Sequence, residues 1–218
     1  MQETPWTIWF ARAGIVAAGL AGWFWSQRLI GQRPSPVDHI DDRAHEWTAS
    51  LNRSLHAHPR RADAFLILTS ATIDLLGLFL VISAILGPTF RPFIGLFLLF
   101  ALRQACQGMN SLPRPRGSIW RYPGFPALLV TYDTSSDLFF SGHTAIAVYG
   151  AIELIRLGDP IWVAAGLFVA TLEVFAVLIL RAHYTMDVFA AIVTALWVAG
   201  IAEIIAPYFD GWLAGWLV

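Results

Sequence analysis

Residues 161–180 read IWVAAGLFVATLEVFAVLIL; they are followed by Arg181-Ala182-His183-Tyr184-Thr185-Met186-Asp187 and then by a second apolar run that starts at Val188. Twenty residues with one acid among them, Glu173, are enough to cross a bilayer as a helix. The polar stretch that follows therefore falls at a membrane face, between two spans. If it opens a helix, the four-residue spacing stacks His183 and Asp187 a turn apart on one face. A carboxylate placed there can hold one ring nitrogen of the imidazole and aim the other outward. Taken alone, such a pair is more often an interfacial histidine with an incidental aspartate.

The rest of the chain agrees with a membrane location. Hydrophobic residues make up 57% of the 218, and the mean hydropathy is +0.61, far above a soluble domain of this size. A net charge of −1 gives no argument for nucleic acid as a partner. Every basic residue is an arginine, a planar fork suited to bidentate phosphate contact, although a GC-rich genome is the simpler source of that bias. The single cysteine, Cys106, excludes an internal disulfide and a cysteine-based zinc site.

Apolar runs at Trp6 to about Trp25, Ala64–Leu86, Phe93 to about Cys106, Ser141 to about Leu157, Ile161–Leu180 and Val188 to about Tyr208 predict six spans. The expected fold is an all-α, six-transmembrane-helix bundle forming one membrane-embedded domain over residues 1–218. The first run lacks the basic start and cleavage site of a signal peptide, so it reads as a retained helix. Between Gly31 and Ala62 the composition turns polar, with Pro34 and Pro36 as breaks. Trp47, Leu51 and Leu55 there have the period of an amphipathic helix lying in the membrane surface. His39, His45, His56 and His58 lack metal-ligand spacing and read as surface residues. Trp212 and Trp216, four apart in a tail after Tyr208, suit an interfacial anchor.

A second histidine changes the weight of the first. Phe140-Ser141-Gly142-His143-Thr144 also stands at the start of an apolar run. Ser141 is a natural helix cap, Gly142 lets a ligand approach the backbone, and the free amides of a helix start favour a phosphate. With six spans, His143 and His183 share one membrane face, as a joint site requires. Between the third and fourth spans, Gln107–Phe140 carries Arg114, Arg116, Arg121 and the prolines from Pro113 to Pro126, the composition of an ordered cover. Asp74 and Glu173 lie at depths where ionisable residues are candidates for function.

Asp137-Leu138-Phe139-Phe140-Ser141-Gly142-His143-Thr144 and His183-Tyr184-Thr185-Met186-Asp187-Val188 resemble the two C-terminal motifs of the sphingomyelin synthase branch of the type 2 phosphatidate phosphatase superfamily. Arg103, followed nine residues later by Leu112-Pro113-Arg114-Pro115, resembles the element that precedes them, so residues 103–188 carry the motifs. The resemblance implies His183 as nucleophile, Asp187 orienting it and His143 as general acid and base. It further implies a phosphate held by Arg103, Arg114 and the helix start at Ser141 and Gly142, with Arg181 as a stand-in for the arginine that is absent at Val177, and no metal or other cofactor. Asp74, Asp137 and Glu173 would be polar residues of a lipid cavity. Three positions depart from the superfamily's commonest motifs: Gln107 stands where a lysine is usual, Val177 where an arginine is, and Phe140 where a proline is.

The implied reaction moves a phospho-headgroup from a membrane phospholipid to a lipid alcohol; hydrolysis at the same residues is the alternative. A homo-oligomer is left open. Two other classes compete: a transporter using Asp74 and Glu173 as an ion path, and a metal triad of His143, His183 and Asp187. The resemblance puts the active face on the non-cytoplasmic side, with a bacterial inner membrane as the expected location. Charge counting opposes that orientation, since Arg28, Arg33, Arg43, Arg53, Arg60 and Arg61 flank the active-face loop, against Arg12, Arg91 and Arg156 on the other side.

Overall fold

A computed structural model describes residues 6–32, 40–132 and 138–217. They form eight helices: α1 (Trp6–Gly31), α2 (Arg43–Trp47), α3 (Ala49–Ala57), α4 (Pro59–Leu86), α5 (Arg91–Met109), α6 (Gly142–Ile155), α7 (Pro160–Ile179) and α8 (Thr185–Leu217). No strand occurs among the described residues. Five helices, α1, α4, α5, α7 and α8, are long and apolar enough to cross a membrane, and the chain is an all-α integral membrane protein. Local chemistry sets the helix starts. Pro59, Pro92 and Pro160 occupy first-turn positions, where a missing N–H costs nothing. Asp159 accepts from the Ile161 amide and Ser141 from the Thr144 amide as caps of α7 and α6.

The fourth expected span is the exception. α6 has 14 residues, about 21 Å at 1.5 Å per residue, whereas the hydrocarbon core is roughly 30 Å thick. It is nonetheless the centre of the molecule, with α4, α5, α7 and α8 packed around it and ten of its residues buried. Small residues let the neighbours in, as is usual between membrane helices. An added Cβ on Gly166 of α7 would lie 2.9 Å from the Ala151 carbonyl, and Gly95 of α5 leaves the room that the Tyr149 ring fills. At the C-terminal end of α6, Glu153 pairs with Arg91 at 2.9 Å, and Arg156 reaches Glu203 of α8 at 2.7 Å. Those charges hold that end at one face, so this short helix begins beneath the opposite face.

The same charged end joins α1 to α8. Arg12, 4% exposed, donates to the Gly87 carbonyl at 2.9 Å and to Asp210 at 3.0 Å, and Asp210 also accepts from the Thr89 hydroxyl and the Phe90 amide. α8 accordingly runs unbroken to Leu217, with Pro207 inside it, where the sequence suggested a span ending near Tyr208 and a separate tail. Trp212 is exposed; the Trp216 side chain lies outside the described residues.

The polar first loop folds as α2 and α3, broken at Thr48. Trp47 and Leu51 face outward, while the inward side is polar, with His45 and Asn52 buried. The expectation of a surface His45 is therefore corrected: Trp47 and Leu51 turn away from the protein while Leu55 packs on the cluster of Ala62 and Leu66, and the face that carries His45 meets backbone groups that need partners. His56 and His58 are exposed, and His39 lies outside the described residues.

Asp210→Ala would leave the buried Arg12 guanidinium uncompensated. Losing one partner of such a pair costs about 3–5 kcal/mol, so a large drop in thermal melting temperature in detergent is expected, and an unchanged melting curve would refute the clamp.

Candidate active site

The two histidine motifs are joined by backbone. The Ser141 amide, at the mouth of α6, donates to the Asp187 carbonyl in the first turn of α8 at 3.2 Å. Asp187 is fully buried; its Oδ2 accepts from the Tyr184 amide at 2.9 Å and lies 3.6 Å from Nδ1 of His183. Its Oδ1 makes no hydrogen bond among the described residues. His183 and His143 are 6% and 7% exposed, and both line one narrow cavity of about 40 Å³ together with Arg103, Gly142, Trp23, Phe100 and Trp120. The His143 ring meets Trp120 edge to face, with centroids 4.8 Å apart.

Arg103 lies flat across the start of α6. Its Nε donates to the Phe140 carbonyl at 3.0 Å, and its Nη1 donates to Gln27 of α1 at 3.2 Å and to Gln107 at 3.3 Å. Gly142 makes this approach feasible, since an added Cβ would sit 3.1 Å from Nε. Gln107, in the place of the usual lysine, thus orients the guanidinium, and Val177 is a core residue 1% exposed. The other two expected phosphate-binding arginines are elsewhere. Arg114 is half-buried on the connecting segment and is not among the residues that line the cavity. Arg181, with φ +52°, donates to the Arg116 carbonyl at 2.6 Å and the His45 carbonyl at 3.1 Å. Its guanidinium presses on Gly117, whose φ of +73° and lack of Cβ admit it.

The proline-rich connection descends into the bundle. Arg121 pairs with Asp63 near the start of α4 at 2.5 Å, and the Leu128 and Leu129 amides donate to the two oxygens of Asp74, both at 2.8 Å. Eleven residues of helix separate those anchors, about 16 Å, so non-helical backbone reaches membrane depth. Such backbone is tolerated only where protein satisfies it, and Asp74 does so. Gly77 leaves room for the Leu129 side chain. The Ile119 amide donates to the Leu180 carbonyl at 2.9 Å and Trp120 Nε1 to the Thr131 carbonyl at 3.0 Å, while Tyr132 and Ser70 share a short hydroxyl bond. Burial first, then the neighbouring acids, hold the Tyr132 phenol above its ordinary pKa despite that bond. Glu173 is fully buried with neither oxygen hydrogen-bonded among the described residues and does not line the cavity. Asp137 lies outside the described residues.

Sequence reasoning missed the first loop's contribution. The Asp42 carboxylate accepts from the Ala44 amide, capping α2, and from the Thr185 amide and hydroxyl, at 2.6 and 2.7 Å, capping α8 as well. Partial burial pushes its pKa up, but the Thr185 bonds, His45 and the Ala44 amide outweigh that and hold it below the usual carboxylate range. His45 Nε2 donates to the His183 carbonyl at 2.9 Å, and Asn52 donates to the carbonyls of Gly117 and Ile179. The available signal was His45 and Asn52 seven residues apart on the face opposite the apolar stripe. Among the described residues no three His, Cys, Asp or Glu side chains are grouped to hold a metal ion.

A family model described as AtPDCT1/2 matches residues 41–204. It denotes phosphatidylcholine:diacylglycerol cholinephosphotransferase, a plant family, and overturns assignment to the sphingomyelin synthase branch while keeping the chain among lipid phosphotransferases. A plant family also gives no support to a bacterial inner membrane. No curated protein and no solved structure matches the chain.

Asp74→Ala is expected to leave two amides without acceptors. At about 1–3 kcal/mol for each unsatisfied group, hydrogen exchange at Leu128 and Leu129 should speed up tenfold or more, read by mass spectrometry, with α7 and α8 unaffected.

Proposed function

The chain belongs to the AtPDCT1/2 family of lipid headgroup transferases, and from that membership we propose that it moves phosphocholine from phosphatidylcholine to diacylglycerol through a phosphohistidine on His183. The observation that carries this reading is the meeting of His183, His143 and Arg103 in one buried cavity at two helix mouths.

In the first half-reaction Nε2 of neutral His183 attacks phosphorus while the bond from phosphorus to the glycerol oxygen breaks. His143, protonated at the outset, gives its proton to that oxygen, and diacylglycerol leaves. In the second half the hydroxyl of another diacylglycerol attacks, His143 takes its proton back, and the phosphorus–nitrogen bond breaks to restore His183. Asp187, beside Nδ1, keeps that nitrogen protonated and stabilises the ring as it becomes positive. The 3.6 Å separation suits an apo site, where catalytic hydrogen bonds are often long. Arg103 and the positive end of α6 stabilise charge on the equatorial oxygens. The roles of Arg114 and Arg181 in phosphate binding have less support, since neither lines the cavity.

Transfer rather than hydrolysis is supported by the cover. A phosphohistidine must meet a lipid hydroxyl before water, and the segment pinned by Asp74 and Asp63 closes the cavity on the α4 side. The exposed Trp47 and Leu51 suit a bilayer surface, where the phosphates of lipids lie.

With phosphatidylcholine labelled in choline and unlabelled diacylglycerol of distinct chain length, label should appear in phosphatidylcholine of the new chain length, undiminished in excess chelator. His183→Ala and His143→Ala should each lower that rate about a thousandfold or more, and the double variant should be little worse than His183→Ala. Release of water-soluble phosphocholine with no labelled lipid product would make the protein a hydrolase and overturn the proposal.

A further inference from the structure

The turn that carries His183 has little regular structure of its own. α7 ends at Ile179 and α8 starts at Thr185, so the backbone of residues 180–184 lacks the continuous ladder that fixes a side chain on a helix. Backbone placement there matters, because a nucleophile displaced by 1 Å can lose about a hundredfold in rate.

Three of these five residues, and Thr185 beside them, are bonded to one short segment of the first loop. The Ile40 amide donates to the Tyr184 hydroxyl at 3.2 Å. Asp42 accepts from the amide and hydroxyl of Thr185. His45 Nε2 donates to the His183 carbonyl at 2.9 Å, and the His45 carbonyl accepts from Arg181 at 3.1 Å. Since a carbonyl only accepts, this contact fixes the proton of a neutral His45 on Nε2. The His45 and Tyr184 rings also pack, with centroids 5.6 Å apart, and His45 is 7% exposed. Three residues of one segment thus hold residues 181, 183, 184 and 185 of another, about 140 positions away in sequence. The family match begins at residue 41, within this segment.

We infer that Ile40–His45 is a positioning strap for the nucleophile, with His45 and Asp42 as its two working residues. The inference rests on the reading of His183 given above. Neither residue reaches the cavity; both act through the backbone that carries His183 and Asp187. His45 holds the His183 carbonyl, which limits rotation of the turn and keeps the ring between Asp187 and the cavity. Asp42 caps the first turn of α8 and so fixes the Asp187 carbonyl that the Ser141 amide requires. The strap therefore sets the distance between the two catalytic histidines, a quantity that neither motif controls by itself.

The test separates position from folding. His45→Phe keeps a ring against Tyr184 and removes the donor, whereas His45→Gln restores an N–H at a similar reach. Full-length variants in nanodiscs, quantified as folded protein, would be assayed for transfer beside His183→Ala. His45→Phe is expected to lower kcat about ten- to hundredfold with KM unchanged, and His45→Gln to recover most of that loss. Asp42→Asn, which keeps one acceptor for Thr185, should lower kcat in the same sense and serves where His45→Phe fails to fold. A wild-type kcat in His45→Phe or Asp42→Asn overturns the strap, as does a His45→Gln variant no better than His45→Phe. If His183→Ala stays active, the catalytic reading itself has failed; if it is inert while His45→Phe is fully active, only the strap has.

Discussion

The hydrogen bond from the Ser141 amide to the Asp187 carbonyl ties two helix openings together, and most of the unusual chemistry of this protein follows from keeping them so. A helix opening exposes amides that no helical carbonyl satisfies, and two of them side by side among membrane helices concentrate positive potential where an anion can use it. The cost is irregular backbone inside an apolar surround, each unsatisfied group of which would destabilise the fold. The polar side chains outside the cavity meet that demand. Asp42 takes the first amide of α8, Asp74 takes two amides of the descending segment, Asn52 serves two carbonyls, and Arg181 serves two more. Polar side chains, most of them half-buried, are here a structural answer to exposed peptide groups, and the two histidines stand on the scaffold they secure.

That division explains how an acid at membrane depth can have a structural role. Asp74 was a candidate for an ion path or a lipid contact because of its position on α4; its two oxygens are instead occupied by backbone. Glu173, at comparable depth, has no such partner among the described residues. Two carboxylates with the same sequence signature thus differ in kind, and only the descending segment distinguishes them.

The spans were legible because membrane helices announce themselves by length and apolarity. The expected starts and ends of α4, α5, α6 and α7 lie within a few residues of the observed ones. The pairing of His143 with His183 was legible from the shared helix-mouth pattern. Depth was not. A run of seventeen apolar residues looks like a span whether or not its helix fills the bilayer, and the short α6 is revealed only by the partners at its far end. The first loop misled for a related reason: an apolar stripe marks which side of a helix avoids water, and in a membrane protein that side can face lipid. His45 thus reads as a surface residue, although it and Asn52 face the backbone they serve. The kinship was only half legible, since motifs shared across a superfamily do not by themselves select the branch.

α1 carries a further implication. It lies outside residues 41–204, yet its Trp23 stacks on Phe100 with centroids 4.4 Å apart, both rings line the cavity, and its Gln27 holds Arg103 and Gln104. One wall of the cavity is therefore built from residues that the family match does not include. A substitution at Trp23 would change the width of that wall, and one at Gln27 would be felt by Arg103, without altering either histidine.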